Sequence, residues 1–254
     1  MKIKVTKRKG DILEFVLEEA TPAFANALRR IMVSEVPTLA VDWVDFEENN
    51  SALFDETIAH RLGLIPLVFD PDKMNLPEDC KCGGKGCPLC QVVFAMEKSG
   101  PGTAYSGDMK SSNRAVKPTD PRFPIAELLK EHRIKLNAVA IMGTGKAHAK
   151  WQAANVGYQY YPEMVEASSD KKAIKLCPRG ALKPRGAKVV LADPLKCDLC
   201  ESCFKAGMKI NGSDSKFIFR VESVSGLPPE KIVSRAAEIL MKKGEELKGL
   251  VSKL

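Results

Sequence analysis

Polar and apolar residues alternate at the start of the chain and then change to a helical period. Residues 2–8 and 11–17 alternate as β-strands do, with a turn signal at Gly10 between them. From Thr21 onward the apolar residues recur at helical spacing. Thr21 supplies an N-cap, and Pro22 suits the first helical position. The pattern predicts a β-hairpin followed by an amphipathic helix.

The predicted first helix has one apolar stripe, and Arg29 and Arg30 lie outside it. Pro37 ends the helix, because the residue before a proline is driven out of the helical conformation. The stripe consists of Phe24, Ala27, Leu28, Ile31 and Met32. Burial of this stripe within the same chain is the default expectation.

The same periods predict the elements that follow. Segment 99–122 is rich in Gly, Pro and Ser and is predicted as turns. A short helix is predicted at 55–62, and strands are predicted at 38–47, 91–97, 134–142, 147–153 and 216–222. The middle of the chain is therefore expected to be rich in β-structure.

A long amphipathic helix is predicted from Pro229 almost to the C-terminus. Its apolar positions are Ile232, Val233, Ala236, Ile239, Leu240, Leu247, Leu250, Val251 and Leu254. This face is longer than the short flanking strands can cover, which indicates that a second chain packs against it.

Eight cysteines fall into two separated quartets. The first quartet comprises Cys80, Cys82, Cys87 and Cys90. Four thiolates this close in sequence can enclose a tetrahedral Zn²⁺ at about 2.3 Å each, with no position left open for catalysis. Lys81 and Lys85 would offset part of the negative charge of the thiolates. A structural zinc site is predicted here, although iron also accepts four thiolates.

The second quartet is spaced like half of a bacterial-type ferredoxin, whose C-x2-C-x2-C-x3-C-P repeat uses the cysteine before the proline for the other cluster. Its members are Cys177, Cys197, Cys200 and Cys203. The template positions that lack cysteine are Ala167, Asp170, Ala173 and Gly207. These absences would remove one whole cluster and leave the other complete. We therefore predict one [4Fe–4S] cluster, or [3Fe–4S] if Cys177 does not ligate, with zinc as the alternative.

Composition and charge limit the possible classes of protein. Hydrophobic residues make up 44% and charged residues 28%, as in ordinary globular domains. No apolar stretch reaches the roughly 20 residues that span a bilayer. The N-terminus lacks a signal-peptide pattern, so we expect a cytoplasmic, reducing setting in which clustered cysteines bind metal. The net charge of +7 is mild and has several explanations.

No catalytic motif is predicted. Segment 143–146 resembles part of a phosphate loop, but the motif is incomplete. Ala140 and Ala147 stand where the Walker pattern requires glycine and serine or threonine. The three histidines have no sequence context that suggests a triad. They are His60, His132 and His148.

Both ends of the chain combine strands with an amphipathic helix, whereas β-rich and metal-binding segments lie between them. We therefore predict an α+β fold with a discontinuous end domain formed by residues 1–47 and 213–254. An inserted β-rich domain is predicted at 48–166, with the zinc-type loop at 80–90. A ferredoxin-like iron–sulfur domain is predicted at 167–212.

Several stretches together resemble the α-like assembly subunits of cellular RNA polymerases. They are residues 21–32 (TPAFANALRRIM), 34–40 (SEVPTLA), 60–67 (HRLGLIPL) and 143–151 (GTGKAHAKW). The helix from Pro229 also fits, so the resemblance covers nearly the whole chain. Bacterial members lack both metal loops, and eukaryotic members keep only the zinc loop, so the combination resembles the archaeal members. Some relatives resemble proteins with cysteine ligands for two clusters, whereas this chain has the ligands for one.

The resemblance implies a non-catalytic assembly subunit of DNA-dependent RNA polymerase, a nucleotidyltransferase. Such subunits dimerise through the end domain with a small L-type subunit, and the pair supports the two large catalytic subunits. Small subunits N and P join the platform, and DNA is met only through the complex, with no membrane involved. Asn26, Arg29 and Arg30 would contact large subunits. The implied partner interface comprises Phe24, Leu28, Ile31, Arg29, Arg30, Ile232, Ala236, Ile239, Leu240 and Leu247.

Two other classes of protein stay open. An iron–sulfur electron-transfer or redox-sensing protein would use the cluster, but one cluster alone has no evident electron path within the chain, so a structural role is favoured. A zinc-dependent nucleic-acid binder would show DNA affinity that falls steeply with salt. No stripe of basic and aromatic residues supports that class.

Overall fold

The computed structural model describes residues 1–253, so Leu254, assigned above to the last apolar face, lies outside the described residues. This part of the chain has an α+β fold. Its helices are α1 (Pro22–Ser34), α2 (Asp55–Gly63), α3 (Lys172–Leu176) and α4 (Pro229–Val251). Its strands are β1 (Lys2–Lys9), β2 (Ile12–Glu18), β3 (Thr38–Asn49), β4 (Leu67–Val68), β5 (Gln91–Ser99), β6 (Gly102–Tyr105), β7 (Lys110–Ser111), β8 (Lys117–Pro118), β9 (Pro124–Leu128), β10 (Arg133–Gly143), β11 (Ala154–Glu166), β12 (Leu182–Arg185), β13 (Lys188–Leu191) and β14 (Lys209–Ser223).

Capping residues and prolines in the sequence predicted where α1 and α4 begin. The predicted start of α1 is confirmed, and the Thr21 hydroxyl accepts a hydrogen bond from the backbone N–H of Phe24 at 3.2 Å. The predicted start of α4 at Pro229 is also confirmed. The predicted strand at 147–153 is wrong. That stretch is a turn followed by a 3₁₀ helix at Ala149–Trp151, and the next strand begins only at Ala154.

The first of two compact units comprises residues 1–29 and 156–221. Its sheet has the strand order β1-β2-β14-β11, and β1 pairs with β2 in antiparallel register. Aromatic side chains fill the core of this sheet. Phe15 stacks on Phe219 with ring centroids 5.0 Å apart, and Tyr158 stacks on the same Phe219 ring at 5.3 Å.

The second compact unit comprises residues 30–155 and the chain from Glu222 onward. Its main sheet has the order β3-β10-β5-β7, in which β10 pairs antiparallel with both β3 and β5. The alternating burial along β5 and β10 matches a sheet with one face against the core. The β-rich character predicted for the middle of the chain is thus present.

The boundaries of the two compact units differ from the boundaries of the three predicted domains. The difference arises because β11 and β14 extend the sheet that begins with β1 and β2, so segments assigned to different predicted parts share one sheet. The three-part division therefore stays a prediction.

A tryptophan and two glycines hold the end of β10 in the second unit. The Trp151 indole N–H donates to the carbonyl of Ile141 at 3.1 Å, and the Thr38 hydroxyl donates to the carbonyl of Trp151 at 2.8 Å. A Cβ on Gly143 would lie 2.4 Å from the indole ring, and one on Gly145 would lie 2.5 Å from the backbone oxygen of Val33. Both positions therefore require glycine.

The same loop explains the segment that resembled a phosphate loop. The backbone N–H of Lys146 donates to the carbonyl of Ser34, the last residue of α1, at 2.7 Å. This hydrogen bond satisfies one of the free carbonyls at the helix end. Segment 143–146 therefore comprises the end of β10 and a packed turn.

Within residues 1–253, no helix combines the length and apolar character that crossing a membrane requires.

We predict that Gly143→Ala destabilises the protein by about 1–3 kcal/mol, the usual cost of forcing extra atoms into a packed interior. Urea unfolding of the full chain measures this change. Gly157→Ala is the matched control, because a Cβ at Gly157 would have no atom within 4 Å. The control should change the free energy of unfolding by no more than about 0.5 kcal/mol. Equal unfolding midpoints for the wild type and Gly143→Ala would contradict the packing argument.

Candidate metal centres and helix surfaces

The sulfur atoms of the first cysteine quartet converge on one point. The Sγ atoms of Cys80 and Cys87 are 3.5 Å apart, as are those of Cys82 and Cys90. The Cys87 and Cys90 sulfurs are 3.8 Å apart, and all four atoms lie within 4.8 Å of one another. A tetrahedral zinc ion with metal–sulfur bonds of about 2.3 Å would place its ligands about 3.8 Å apart. The quartet therefore fits a single tetrahedral ion, which iron could also be.

Backbone geometry forms the loop that carries this quartet. The N–H of Gly83 donates to the carbonyl of Cys80 at 2.8 Å, and the N–H of Cys90 donates to that of Cys87 at 2.9 Å. Gly86 has a φ of +89°, and a Cβ there would lie 2.4 Å from the side-chain oxygen of Gln91. Tight turns bring the thiols together, and β5 begins directly after Cys90.

Proximity of the thiols shifts the pKa values of Cys80 and Cys82 in opposite directions. The backbone N–H of Cys82 lowers the pKa of Cys80, but burial and hydrogen bonds with the other thiols outweigh it and raise this pKa to about 12. Hydrogen bonding from Cys80 lowers the pKa of Cys82 to about 6, against the effect of burial. One thiolate is thus stabilised by neighbouring thiols. Binding of a cation would displace the remaining protons.

The second cysteine quartet lines one recess in the first compact unit. Cys177, Cys197, Cys200 and Cys203 all border about 360 Å³ of space, part of it open to solvent. Cys197 and Cys203 are each 9% exposed, whereas Cys200 is an exposed side chain. Within residues 1–253, no grouping as tight as that of the first quartet includes these sulfurs. A cluster of several irons separates its ligands more than a single ion does, so the wider spacing fits it better.

Short elements position the four thiols of the recess. Cys177 follows directly after α3, and Cys197 follows a 3₁₀ helix at Pro194–Lys196. Cys203 lies within a second 3₁₀ helix, Ser202–Ala206. The N–H of Ala181 donates to the Cys177 sulfur at 3.4 Å. Cysteine sulfurs that hold iron–sulfur clusters accept hydrogen bonds of this kind.

The loop between Cys197 and Cys203 contains two non-glycine residues with positive φ. Leu199 has a φ of +57° and Glu201 a φ of +59°. Such backbone conformations are disfavoured for residues with a Cβ, and they cluster at functional sites. Left-handed residues within a tight loop also turn backbone N–H groups toward one concave side, as in many iron–sulfur sites. The loop geometry therefore fits a sulfur-ligated cluster.

The hydrophobic core around this recess combines alanines and larger aliphatic side chains with the cysteines themselves. Cys197 and Cys203 belong to it, and Cys177 packs against it. Its other buried members are Ala173, Ala181, Leu182, Val189, Ala206, Met208 and Ile210. Burial raises the pKa of the Cys197 thiol, and negative charge on Cys177 raises it further. A metal cluster would lower the free energy of these buried thiolates by binding them.

Two of the template positions without cysteine have structural roles here. Ala173 is fully buried in the small core. Gly207 ends the 3₁₀ helix of Cys203 with a φ of +71°, a conformation that favours glycine. These roles suit a chain with one cluster site rather than two.

The predicted interface residues differ in exposure. Leu28, Ile31, Ile232 and Ala236 are buried within the chain. Phe24, Arg29, Ile239 and Leu240 are half-buried, and Arg30 and Leu247 are exposed. Beyond Leu240, every described residue of α4 is exposed, including the apolar side chains of Met241, Leu247, Leu250 and Val251. The interface itself stays a prediction.

Comparison with known proteins places these features in a family. Residues 14–243 match the family described as "RNA polymerase Rpb3/Rpb11 dimerisation domain". The chain belongs to this family.

Curated relatives from archaea match along their whole length. The "DNA-directed RNA polymerase subunit Rpo3" of Methanosarcina acetivorans is 36% identical over 264 residues, covering 100% of this chain and 99% of that protein. Proteins of the same name from Methanothermobacter thermautotrophicus and Pyrococcus horikoshii are 37% and 38% identical. These alignments cover 97% of each chain for the former, and 96% of this chain and 95% of the relative for the latter.

Sequence reasoning missed some residues around the sites of this Rpb3/Rpb11 family member. Arg179 and Asp198 line the cysteine recess and form an ion pair, with Nε and Oδ2 2.8 Å apart. The side-chain amide of Gln159 on β11 donates to the carbonyl of Cys197 at 3.1 Å. The two charges lie next to the Cys-Pro and Cys-x-x-Cys motifs, but nothing in the sequence pairs them.

We predict that Cys87→Ser removes bound metal from the loop of this Rpb3/Rpb11 family member, because the variant leaves three thiolates where four converge. Metal analysis of the purified chain measures the loss, and limited proteolysis should show cleavage between residues 80 and 90. Lys85→Gln is the control, since it changes charge within the same loop and leaves every thiol in place. Undiminished metal in Cys87→Ser would show that the quartet is not the binding site.

Proposed function

We propose that this chain is a non-catalytic assembly subunit of DNA-dependent RNA polymerase, corresponding to the α-like Rpo3 subunit of the archaeal enzyme. The observation that carries the proposal is the match along 97–100% of the chain to proteins named as Rpo3 in Methanothermobacter thermautotrophicus and Methanosarcina acetivorans. The family description adds dimerisation as the expected activity of residues 14–243. No comparison supports the alternative of an electron-transfer or redox-sensing protein.

His148 and His132 serve as local caps of backbone turns. The His148 ring nitrogen accepts the backbone N–H of Lys150 at 3.1 Å, and that of His132 accepts the N–H of Leu129 at 3.2 Å. Each ring thus supports a turn of the backbone. This use of the side chains agrees with a scaffold that leaves nucleotide transfer to other subunits of the complex.

The L-type partner subunit is proposed to pack along the exposed end of α4. Leu247, Leu250 and Val251 lie on one side of the helix and are 59–64% exposed, although their apolar surface gains from burial. The half-buried Ile239 and Leu240 continue the same face toward the body of the unit. Ile232 and Ala236, which are buried residues of the predicted interface, would hold α4 against its own compact unit rather than touch the partner.

The large catalytic subunits are proposed to meet the polar side of α1. Arg29 is already oriented there, because its Nε and Nη2 atoms donate to the Asn26 side-chain oxygen at 3.2 and 3.0 Å. Arg30 is exposed beside them. Contact with subunits N and P is carried over from the family resemblance, and no residue is assigned to it.

The two metal centres are proposed to be structural. A zinc ion at Cys80, Cys82, Cys87 and Cys90 would close a loop that has little apolar material of its own. An iron–sulfur cluster at Cys177, Cys197, Cys200 and Cys203 would form the centre of a ferredoxin-like domain at 167–212. When bound, the cluster supplies iron–thiolate bonds that join the Cys177 segment to the 197–203 loop. A segment this small needs such a cross-link, because its hydrophobic core is limited.

We predict that Leu247→Glu weakens pairing with an L-type subunit by roughly 2 kcal/mol or more, which is about a thirtyfold rise in Kd. A carboxylate buried in an apolar helix contact would lose its hydration without gaining a partner. Co-purification and calorimetric titration with the L-type subunit measure the effect.

Gly249→Glu is the matched control for this experiment. It introduces the same side chain on the opposite side of α4, where a Cβ would have no atom within 4 Å. The control should pair as the wild type does. If the L-type subunit binds Leu247→Glu with wild-type affinity, the partner does not use this face of α4.

We predict that Cys197→Ser loses most of the bound iron, lowers the melting temperature and reduces the yield of assembled polymerase. The side chain is 9% exposed within the small core, so its loss removes a ligand and a packing contact together. Lys205→Gln is the control, because Lys205 is an exposed residue of the same 3₁₀ helix as Cys203 and its substitution leaves every thiol in place. Iron loss accompanied by wild-type stability and assembly would rule out a structural role for the cluster.

A further inference from the structure

Arg179 and Asp198 form an ion pair between the two chain segments that carry the second cysteine quartet. Nε of Arg179 donates to Oδ2 of Asp198 at 2.8 Å. Arg179 is two residues after Cys177, and Asp198 directly follows Cys197. The pair therefore joins the isolated ligand to the loop that supplies the other three.

The same two side chains line the cysteine recess. Asp198 lies two residues before the exposed Cys200 in the sequence. The Arg179 side chain is 62% exposed and the Asp198 side chain 34% exposed, so both charged groups reach the solvent. Both charges thus act on the solvent-facing side of the recess, where an oxidant or a chelator would enter.

We propose that the Arg179–Asp198 ion pair is a clamp that positions the ligand segments around the iron–sulfur cluster and screens its Cys200 side. This inference rests on the proposed cluster. Four thiolates give such a cluster a net negative charge, and charges near a cluster tune its reduction potential. Arg179 offsets that charge, whereas Asp198 adds to it, so the two residues have opposite effects on the reduction potential. Together, as an ion pair, they hold the two ligand segments in place.

Loss of the ion pair should leave the fold of this segment in place. The β12–β13 hairpin remains, and the backbone N–H groups of Ala192 and Asp193 still donate to the Ala181 carbonyl at 3.0 and 3.1 Å. The pair itself is partly exposed, with 62% exposure of the Arg179 side chain and 34% of the Asp198 side chain. Its removal is therefore expected to change cluster lifetime rather than abolish folding.

The test uses the full chain, co-expressed with an L-type subunit and purified without oxygen. Arg179→Gln and Asp198→Asn should each lose the cluster about twofold to fivefold faster in air or with an iron chelator, as expected for an exposed ion pair. In an EPR-monitored redox titration, Arg179→Gln should shift the potential to more negative values and Asp198→Asn to more positive values. Arg179→Lys should keep the wild-type potential and restore part of the lifetime.

Arg185→Gln is the matched control, because Arg185 is an exposed arginine of the same segment that does not line the recess. It should behave as the wild type. Wild-type cluster lifetimes in both clamp variants, or shifts of the potential in the same direction, would overturn the clamp. Absence of iron from the anaerobic wild-type protein would instead overturn the proposed cluster, and the clamp with it. The assembly role is tested separately by Leu247→Glu.

Discussion

The contact between Gly143 and the Trp151 indole fixes the geometry on which the second compact unit depends. It joins the end of β10 to the short 3₁₀ helix that follows, and the Thr38 hydroxyl ties the start of β3 to the same tryptophan. Next to it, the close approach of Gly145 to the Val33 carbonyl brings the end of α1 onto the loop. A helix end, two strands and a turn thus meet at one aromatic ring. No side chain larger than hydrogen fits at either glycine, so the arrangement has little freedom to shift.

Convergence of thiols takes the place of apolar packing where the chain lacks large side chains. The loop of Cys80 and Cys90 consists mainly of tight turns, and the core around Cys197 has only nine buried residues, two of which are cysteines. Segments of this size bury too little apolar surface to offset the conformational entropy of folding. Metal–thiolate bonds would stabilise these segments locally, without any increase in the size of the apolar core.

The sequence allowed α1, α2 and α4 and both cysteine quartets to be predicted, because their determinants are local, whereas the short α3 was not predicted. Thr21 and Pro22 start α1 by capping and by a preset φ, and neither depends on tertiary contacts. The strand expected at 147–153 failed because the close packing around Trp151 folds that stretch into a turn, which no local period reveals. Strand β14 begins well before the predicted 216, in a polar stretch that includes Gly212. A Cβ on Gly212 would lie 2.6 Å from that of Tyr160, so the reason for glycine in this strand is a neighbouring strand. The Arg179–Asp198 pair is likewise a product of folding.

Ion pairs and burial divide α4 into an anchored half and a free half. Asp72 accepts hydrogen bonds from Lys231 and Arg235 near the start of the helix, and Lys243 pairs with Glu35 farther along. Hydrogen bonding by Lys231 lowers the pKa of Asp72, so these contacts persist unless the pH falls through that lowered pKa. Because the near half is held, the exposed apolar end keeps a defined direction before any partner arrives, which reduces the entropy lost on binding. The helix belongs to the second compact unit and the second cysteine quartet to the first. The proposed partner surface on α4 and the proposed cluster therefore belong to different compact units, and a substitution in one of them changes no residue of the other.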